Sequence, residues 1–254
     1  MTKPMITAHS GCEGTETDSM ESIDAALRCG ADAVEVDVRM DRAGVLRISH
    51  NALSPEEYQK KNTLREVFEK VNRTNLILNC DLKEQAVLYR TLEEAERFGF
   101  PKERLILSGC TGLEQLVRDP DLTRRSRVFL NIEEVLKFVY LHREQELNMD
   151  RVMLLLSDPW VVLKENGGEI REVWIEDTVR CYQMLRAEAA NLPKWLLGSK
   201  LVSALSEAGI ALSVWTVNEI ELVRACLDTE VRNITTRNVD LAVKIVNTFS
   251  GETR

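Results

Sequence analysis

Apolar residues along the chain form short alternating runs that are separated by longer segments of helical period. Short runs of this kind predict strands, and apolar positions three and four residues apart predict helices. The predicted strands cover residues 5–8, 33–38, 76–83, 104–108, 127–131, 210–217 and 231–235, with a brief strand end at 190–192. The predicted helices cover residues 18–29, 63–71, 84–98, 111–118, 133–147, 176–189, 199–208, 219–227 and 239–249.

The stretch from residue 149 to residue 172 has the least regular pattern. An apolar run at 152–156 favours one more strand, and the turn-forming residues at 158–160 and 166–168 separate it from the next helix.

Strands and helices therefore alternate from one end to the other with short connections. This order is typical of parallel sheets with right-handed crossovers. About eight strand–helix units in 254 residues favour a closed barrel over an open sheet. We therefore expect an α/β fold, a (β/α)8 TIM barrel, with residues 1–254 forming a single domain.

The composition of the chain limits which kinds of molecule the protein can bind. The net charge of −8 argues against a nucleic-acid surface, which needs a basic patch to meet phosphates. The six cysteines form no CxxC pair, and no apolar stretch has the length of a membrane span. We expect a cytoplasmic protein with no stable membrane insertion, and the sequence leaves open a homo-oligomer.

The strand at 33–38 carries valines on one face and two carboxylates, Glu35 and Asp37, on the other. Residues two apart on one strand face lie about 6.6 Å apart, so the two anions repel each other unless a cation lies between them. A divalent cation with oxygen ligands is one explanation. The alternative is a half-exposed strand whose polar face meets water.

Further polar residues fall where strands end, which is where barrel enzymes carry their chemistry. Two of the three histidines, His9 and His50, end strand-like segments. Asp81 and Lys83 share one face of the strand at 76–83, so Lys83 either contacts a phosphate or forms a structural ion pair. Trp215 ends a later strand and fits either the core or a platform for a ligand.

Several of these segments occur together in the order and spacing of a known family. The chain resembles the glycerophosphodiester phosphodiesterases, which belong to the phospholipase C-like phosphodiesterase barrels. The similar segments are Ala8-His9-Ser10-Gly11, residues 30–38, Ser49-His50-Asn51, residues 63–67, Asn79-Cys80-Asp81-Leu82-Lys83, residues 214–218 and Ile234-Thr235.

The resemblance implies a role for each matched residue. Glu35, Asp37 and Asp81 correspond to ligands of a divalent metal ion, Ca²⁺ or Mg²⁺. His9 and His50 correspond to the family's acid and base. Lys83 corresponds to a lysine near the phosphate, and Trp215, which lies in the similar segment 214–218, is with Lys83 a candidate substrate-binding residue.

The chain also departs from the family pattern at specific positions. Ser10 replaces the arginine of the usual His-Arg-Gly motif, which removes a bidentate phosphate donor. Asn51 stands where an aspartate usually follows the second histidine, and Asp81 stands where a glutamate is usual. Thr17-Asp18-Ser19 replaces the usual Glu-Asn-Thr.

The resemblance implies a metal-dependent hydrolase that converts glycerophosphodiesters, its small-molecule substrates, to glycerol phosphate and an alcohol. In one alternative, the departures at Ser10 and Asn51 leave a phosphate-ligand binding protein with weakened catalysis. In another, the barrel is a lyase that removes the head group of a lysophospholipid and releases a cyclic phosphate.

Overall fold

The computed structural model describes residues 3–111, 113–143, 149–163 and 170–252. In these residues, eight parallel strands and one added antiparallel strand form a single sheet. The strands are β1 (Met5–Ala8), β2 (Ala33–Met40), β3 (Leu46–Ile48), β4 (Ile77–Leu82), β5 (Leu105–Gly109), β6 (Arg127–Asn131), β7 (Ala189–Pro193), β8 (Leu212–Trp215) and β9 (Asn233–Thr236). Because β1 pairs with both β2 and β9, the parallel strands close into a barrel, and the predicted (β/α)8 fold is confirmed.

Helices follow the strands and cover the outside of the barrel. They are α1 (Met20–Arg28), α2 (Pro55–Tyr58), α3 (Leu64–Val71), α4 (Leu88–Arg97), α5 (Leu113–Arg118), α6 (Leu122–Arg125), α7 (Ile132–Arg143), α8 (Met149–Ser157), α9 (Pro159–Leu163), α10 (Glu172–Leu185), α11 (Lys200–Glu207), α12 (Ile220–Asp228) and α13 (Val239–Glu252). Their starts follow local chemistry. The Ser19 side chain caps α1, and Thr63 forms a capping box with Glu66 at α3, as the sequence predicts.

The irregular region is where the sequence prediction was wrong. Residues 152–156 lie inside helix α8 and form no strand. A short apolar run does not distinguish a strand from a helix by periodicity alone. Helix α10 ends at Leu185, which leaves residues 189–193 free to form β7. The turn predicted at 166–168 lies outside the described residues.

The barrel interior has an apolar layer at the bottom and a polar layer above it. Side chains from six neighbouring strands or strand starts form the apolar layer: Met5, Ile77, Ile106, Phe129, Ala189 and Ala211. Two residues further along the strands, a chain of hydrogen bonds of 2.7–2.9 Å joins the side chains of Thr7, Asn233, Ser213, Asn191 and Asn131. The apolar layer closes the base of the barrel, and the polar layer forms the floor of the site at its top.

Candidate active site

Three carboxylates meet at the C-terminal ends of β2 and β4. Glu35 and Asp37 occupy the inner face of β2, and Asp37 is directly opposite Asp81 of β4 in the strand register. One oxygen atom from each carboxylate lies within 4.8 Å of the others. Asp37 is only 2% exposed and Glu35 only 8%, so little water reaches these anions. The structure therefore brings the three side chains together on the inner side of the barrel.

Lys83 provides a positive charge inside this cluster. Its Nζ lies 2.8 Å from Asp37 Oδ1 and also forms an ion pair with Asp81. Burial by itself favours the neutral amine, but the carboxylates of Asp81 and Asp37 outweigh this effect and raise the pKa of Lys83 above its ordinary value. Lys83 is therefore a firmly held cation beside two of the three acids.

One lysine does not balance three carboxylates. Burial raises the pKa of Glu35 well above its ordinary value, and the neighbouring charges of Asp81 and Asp37 raise it further. A second cation among these oxygens would remove that penalty. Hard divalent ions such as Ca²⁺ and Mg²⁺ bind carboxylate oxygens grouped in this way, so the donor set fits such an ion.

Asp81 is positioned by the neighbouring strand β5. The hydroxyl of Ser108 donates a 2.9 Å hydrogen bond to Asp81 Oδ1. Gly109 follows with a φ of +70°, and a Cβ added there would lie 2.5 Å from Asp81 Oδ1 and would also clash with the Leu82 carbonyl oxygen. Glycine at this position therefore leaves the space that the Asp81 carboxylate needs.

His9 lies directly after β1, where its backbone N–H donates a 2.8 Å hydrogen bond to the Thr236 carbonyl. Its ring Nδ1 lies 3.0 Å from the Ser10 carbonyl, which only accepts, so Nδ1 carries the hydrogen and the neutral ring has a free Nε2. That Nε2 lies 3.7 Å from Glu35 Oε1. Burial lowers the pKa of His9, although the Ser10 carbonyl opposes this shift, so the neutral ring is favoured at neutral pH.

His50 lies just beyond the antiparallel strand β3, which folds back along β2. The backbone N–H of Ser49 donates a 2.8 Å hydrogen bond to the Asp37 carbonyl, which anchors this end of the hairpin beside the acids. The ring Nδ1 of His50 lies 3.2 Å from the Asn51 side-chain oxygen. Asn51 thus keeps a contact that an aspartate would make, but without its negative charge.

Asp18 connects three parts of the site, and no role in the site was predicted for it from the sequence. Its Oδ1 accepts hydrogen bonds from the Ser10 hydroxyl at 3.0 Å and from the Asp37 N–H at 3.1 Å. Its Oδ2 accepts from the His50 N–H at 2.8 Å. Ser10 and Asp18 contact each other in the structure, and both depart from the family pattern. This paired departure was the signal in the sequence.

A cavity of about 320 Å³ opens at this end of the barrel. Among its lining residues are most of those singled out from the sequence: His9, Glu35, His50, Asp81, Lys83 and Trp215. Asp37 is more deeply buried and contacts Lys83. The indole Nε1 of Trp215 is buried and has no hydrogen-bond partner among the described residues.

The other wall of the cavity was not predicted. It consists of residues at the ends of β5, β6 and β7: Cys110, Asn131, Glu133, Glu134 and Asn191. The signal was available, because Glu133 and Glu134 come directly after the predicted strand at 127–131. Like His9 and Asp81, these two acids therefore come at the end of a strand, where barrel enzymes carry their chemistry.

The comparison with protein families agrees with this geometry. A model of the glycerophosphoryl diester phosphodiesterase family matches residues 9–241. The chain belongs to this family. A comparison with curated proteins finds no significant match. Within the described part of the chain, no helix has the length and apolar character needed to cross a membrane.

Solved structures of the same family name share the fold at low sequence identity. A glycerophosphodiester phosphodiesterase from Parabacteroides distasonis is 17% identical, with a TM-score of 0.68 and 99% of each chain covered. One from Thermotoga maritima is 22% identical, with a TM-score of 0.65 over 96% of this chain and 99% of that one. An Oleispira antarctica phosphodiesterase, in complex with the product sn-glycerol-3-phosphate, is 17% identical, with a TM-score of 0.66 over 96% and 97%.

Proposed function

We propose that the protein is a metal-dependent phosphodiesterase that hydrolyses glycerophosphodiesters to glycerol phosphate and an alcohol by histidine acid–base catalysis. The observation that carries this proposal is one cavity, in a barrel of the phosphodiesterase family, whose lining brings together two histidines, a lysine and two of the three clustered acids: His9, His50, Lys83, Glu35 and Asp81. The product bound to the Oleispira antarctica relative supports glycerol phosphate as the released group.

Glu35, Asp37 and Asp81 would hold the metal ion, because their oxygens are grouped within 4.8 Å and only partly neutralised by Lys83. Such an ion polarises a phosphate oxygen and lowers the pKa of an attacking hydroxyl when it is bound. Lys83 adds a positive charge at the same wall, where it would stabilise the charge that develops on the phosphoryl oxygens. Trp215 would pack its ring against the substrate from the opposite side of the opening.

The histidines would move the protons. In each ring, Nδ1 lies beside a carbonyl oxygen, that of the Ser10 backbone or that of the Asn51 side chain. The outer nitrogen, Nε2, is therefore the one that exchanges a proton with the substrate. One histidine takes the proton from the attacking hydroxyl or water, and the other gives a proton to the departing alkoxide, roles for which an imidazole near neutrality is well suited.

Turnover of defined diesters tests this function. The purified protein should release glycerol phosphate from glycerophosphodiesters, lose this activity in a chelator, and regain it with added Ca²⁺ or Mg²⁺. Phosphorus NMR of the products separates hydrolysis, which gives a phosphomonoester, from a lyase reaction, which ends at a cyclic phosphate. Turnover that is indifferent to chelator would overturn the metal role.

One observation favours a second candidate function. Ser10 and Asn51 replace charged groups beside the two histidines, and the Ser10 hydroxyl is directed to Asp18. A protein without turnover that still binds glycerol phosphate would be a phosphate-ligand binding member of the family. In either case we propose a cytoplasmic location, because the six cysteines are free thiols, as is usual in a reducing compartment.

A further inference from the structure

The unpredicted wall of the cavity contains a carboxylate whose hydrogen bonding is incomplete. Glu133 Oε1 accepts a 2.8 Å hydrogen bond from the Asn131 side-chain amide. Its other oxygen, Oε2, is buried and has no partner among the described residues. A buried acceptor without a donor is costly, and it is more costly when it carries a charge.

The cation that acts on Glu133 from the same helix, Lys137, is already paired with another acid. The neighbouring Glu134 forms a 2.5 Å ion pair with Lys137, one helical turn further along α7. Burial raises the pKa of Glu133 to about 7, against its hydrogen bonds to its own backbone N–H and to Asn131. The wall therefore holds one acid that is already paired and one that is not.

The Glu133 carboxylate is held in place by a chain of amides. Asn131 Oδ1 accepts a 2.8 Å hydrogen bond from the Asn191 amide and a longer one, 3.4 Å, from the Gly109 N–H. These contacts fix which end of the Asn131 amide faces Glu133. Glu133 lines the cavity, and because the terminal torsion of a glutamate is soft, a small rotation can bring the unpartnered Oε2 toward a ligand there while Oε1 stays near Asn131.

We propose that Glu133 binds the primary ammonium group of an amino-alcohol head group, which makes glycerophosphoethanolamine-type diesters the preferred substrates. This inference rests on the proposed function, since it places a substrate in the same cavity. An ammonium group supplies both the missing donor and the missing positive charge. A hydroxyl supplies no charge. A quaternary ammonium has no N–H and is usually held by several aromatic faces, of which the described lining residues provide one Trp, Tyr or Phe, Trp215.

The distance between Glu133 and the acids of β4 suits a substrate with a short head group. Strand β6, which leads into Glu133, is two strands along from β4, which carries Asp81. At normal strand spacing the two strands are about 10 Å apart. A phosphate beside Asp81 and Lys83 would therefore direct a short amino alcohol across the cavity toward Glu133.

Substrate preference tests the proposal. The wild type should have a higher kcat/KM for glycerophosphoethanolamine than for glycerophosphoglycerol. Glu133→Gln should lower kcat/KM for the ethanolamine substrate by about 10- to 100-fold, as expected for a lost hydrogen bond to a charged group, and change it for the glycerol substrate by less than about threefold. Glu133→Asp, which keeps the charge, should fall between the two. Glu207→Gln, on the exposed end of α11, is the matched control and should change neither value.

Binding without turnover provides an independent measurement. Calorimetry with phosphoethanolamine should show weaker binding to Glu133→Gln than to the wild type, while binding of glycerol phosphate stays the same. An equal loss for both ligands, or no preference in the wild type, would overturn the inference. Absence of turnover combined with the expected binding difference would overturn the proposed function and leave the ammonium site intact.

Discussion

At the scale of single residues, the sequence predicted most of the site because each residue has a local signal. His9 and His50 end strand-like segments, and Glu35, Asp37 and Asp81 alternate with buried apolar residues. Alternation along a strand determines whether a side chain points into the barrel or out of it. Its position relative to the strand end determines how close it lies to the opening of the barrel. The roles of the residues do not follow from placement, and they remain predictions.

The two histidines should be indispensable to turnover. We expect His9→Ala and His50→Ala each to lower kcat by about 10² to 10⁴-fold, since a positioned acid or base contributes that much to the rate. Steady-state kinetics with metal present measures the loss. His142→Ala is the matched control, because His142 is exposed near the end of α7, and its activity should equal that of the wild type. A loss of less than tenfold at both positions would contradict the assignment.

At the scale of elements, contacts between distant segments were beyond the reach of the sequence. Asp18 joins residues 8, 19 and 32 positions away, and no local pattern records such a connection. The mistaken strand at 152–156 has the same origin. Whether a short apolar run forms a strand or a helix depends on what it packs against, which a single sequence does not show.

Asp18→Asn should disturb the site while leaving the barrel folded. Asparagine has one acceptor oxygen in place of two, so at least one of the three donors, the Ser10 hydroxyl or the N–H of Asp37 or His50, loses its partner. We expect a loss of about 1–3 kcal/mol in the free energy of unfolding and a fall in kcat of at least tenfold. Chemical denaturation and kinetics measure the two effects. Asp228→Asn, exposed at the end of α12, should change neither.

Gly109→Ala should weaken metal binding as well as stability. The added Cβ would press on Asp81 Oδ1 and on the Leu82 carbonyl, and the φ of +70° disfavours alanine. Gly99→Ala is the matched control, because Gly99 also has a positive φ, +59°, but has nothing within 4 Å of the added Cβ. Both variants should unfold at lower temperature, and only Gly109→Ala should lose affinity for Ca²⁺ or Mg²⁺ by calorimetry. Equal affinities in the two variants would argue against a metal ligand at Asp81.

At the scale of the whole molecule, the barrel was predictable because its evidence is repeated in every strand–helix unit. One mistaken strand did not change the fold, since seven of the eight barrel strands have full signals in the sequence and the eighth, β7, has the brief strand end at 190–192. The layering of the interior was less visible. Polar residues such as Asn191, Ser213 and Asn233 resemble ordinary strand residues until the closed barrel brings them into contact.

The buried acid at this end of the barrel should make stability depend on pH. Burial raises the pKa of Glu133 from 4.5 to about 7, so the folded state keeps a proton that the unfolded state releases. This contribution to stability is full below pH 4.5 and is lost as the pH rises through 7. The charged groups that act on Glu133 are Glu134 and Lys137. The charge of Glu133 in turn helps to raise the pKa of the Tyr182 hydroxyl.

Glu133→Gln removes this titration. We expect its melting temperature to exceed that of the wild type by a few degrees at pH 8 and to match it near pH 4.5. Scanning calorimetry across this range measures the difference, with Glu207→Gln as the control, whose difference from the wild type should not change with pH. A constant difference between Glu133→Gln and the wild type would show that Glu133 is charged throughout.

The hairpin that carries His50 has a consequence for how the protein can be altered. Strand β3 pairs with β2 outside the closed barrel, and a bridge between Arg47 and Thr63 ties together the two ends of the segment at residues 51–62. The two ends of this segment are therefore fixed on the scaffold. A longer loop can be grafted between them without shifting the barrel strands, because loop length costs little once the ends are anchored. The length of this segment and the stability of the scaffold are therefore separable traits, open to independent selection or engineering.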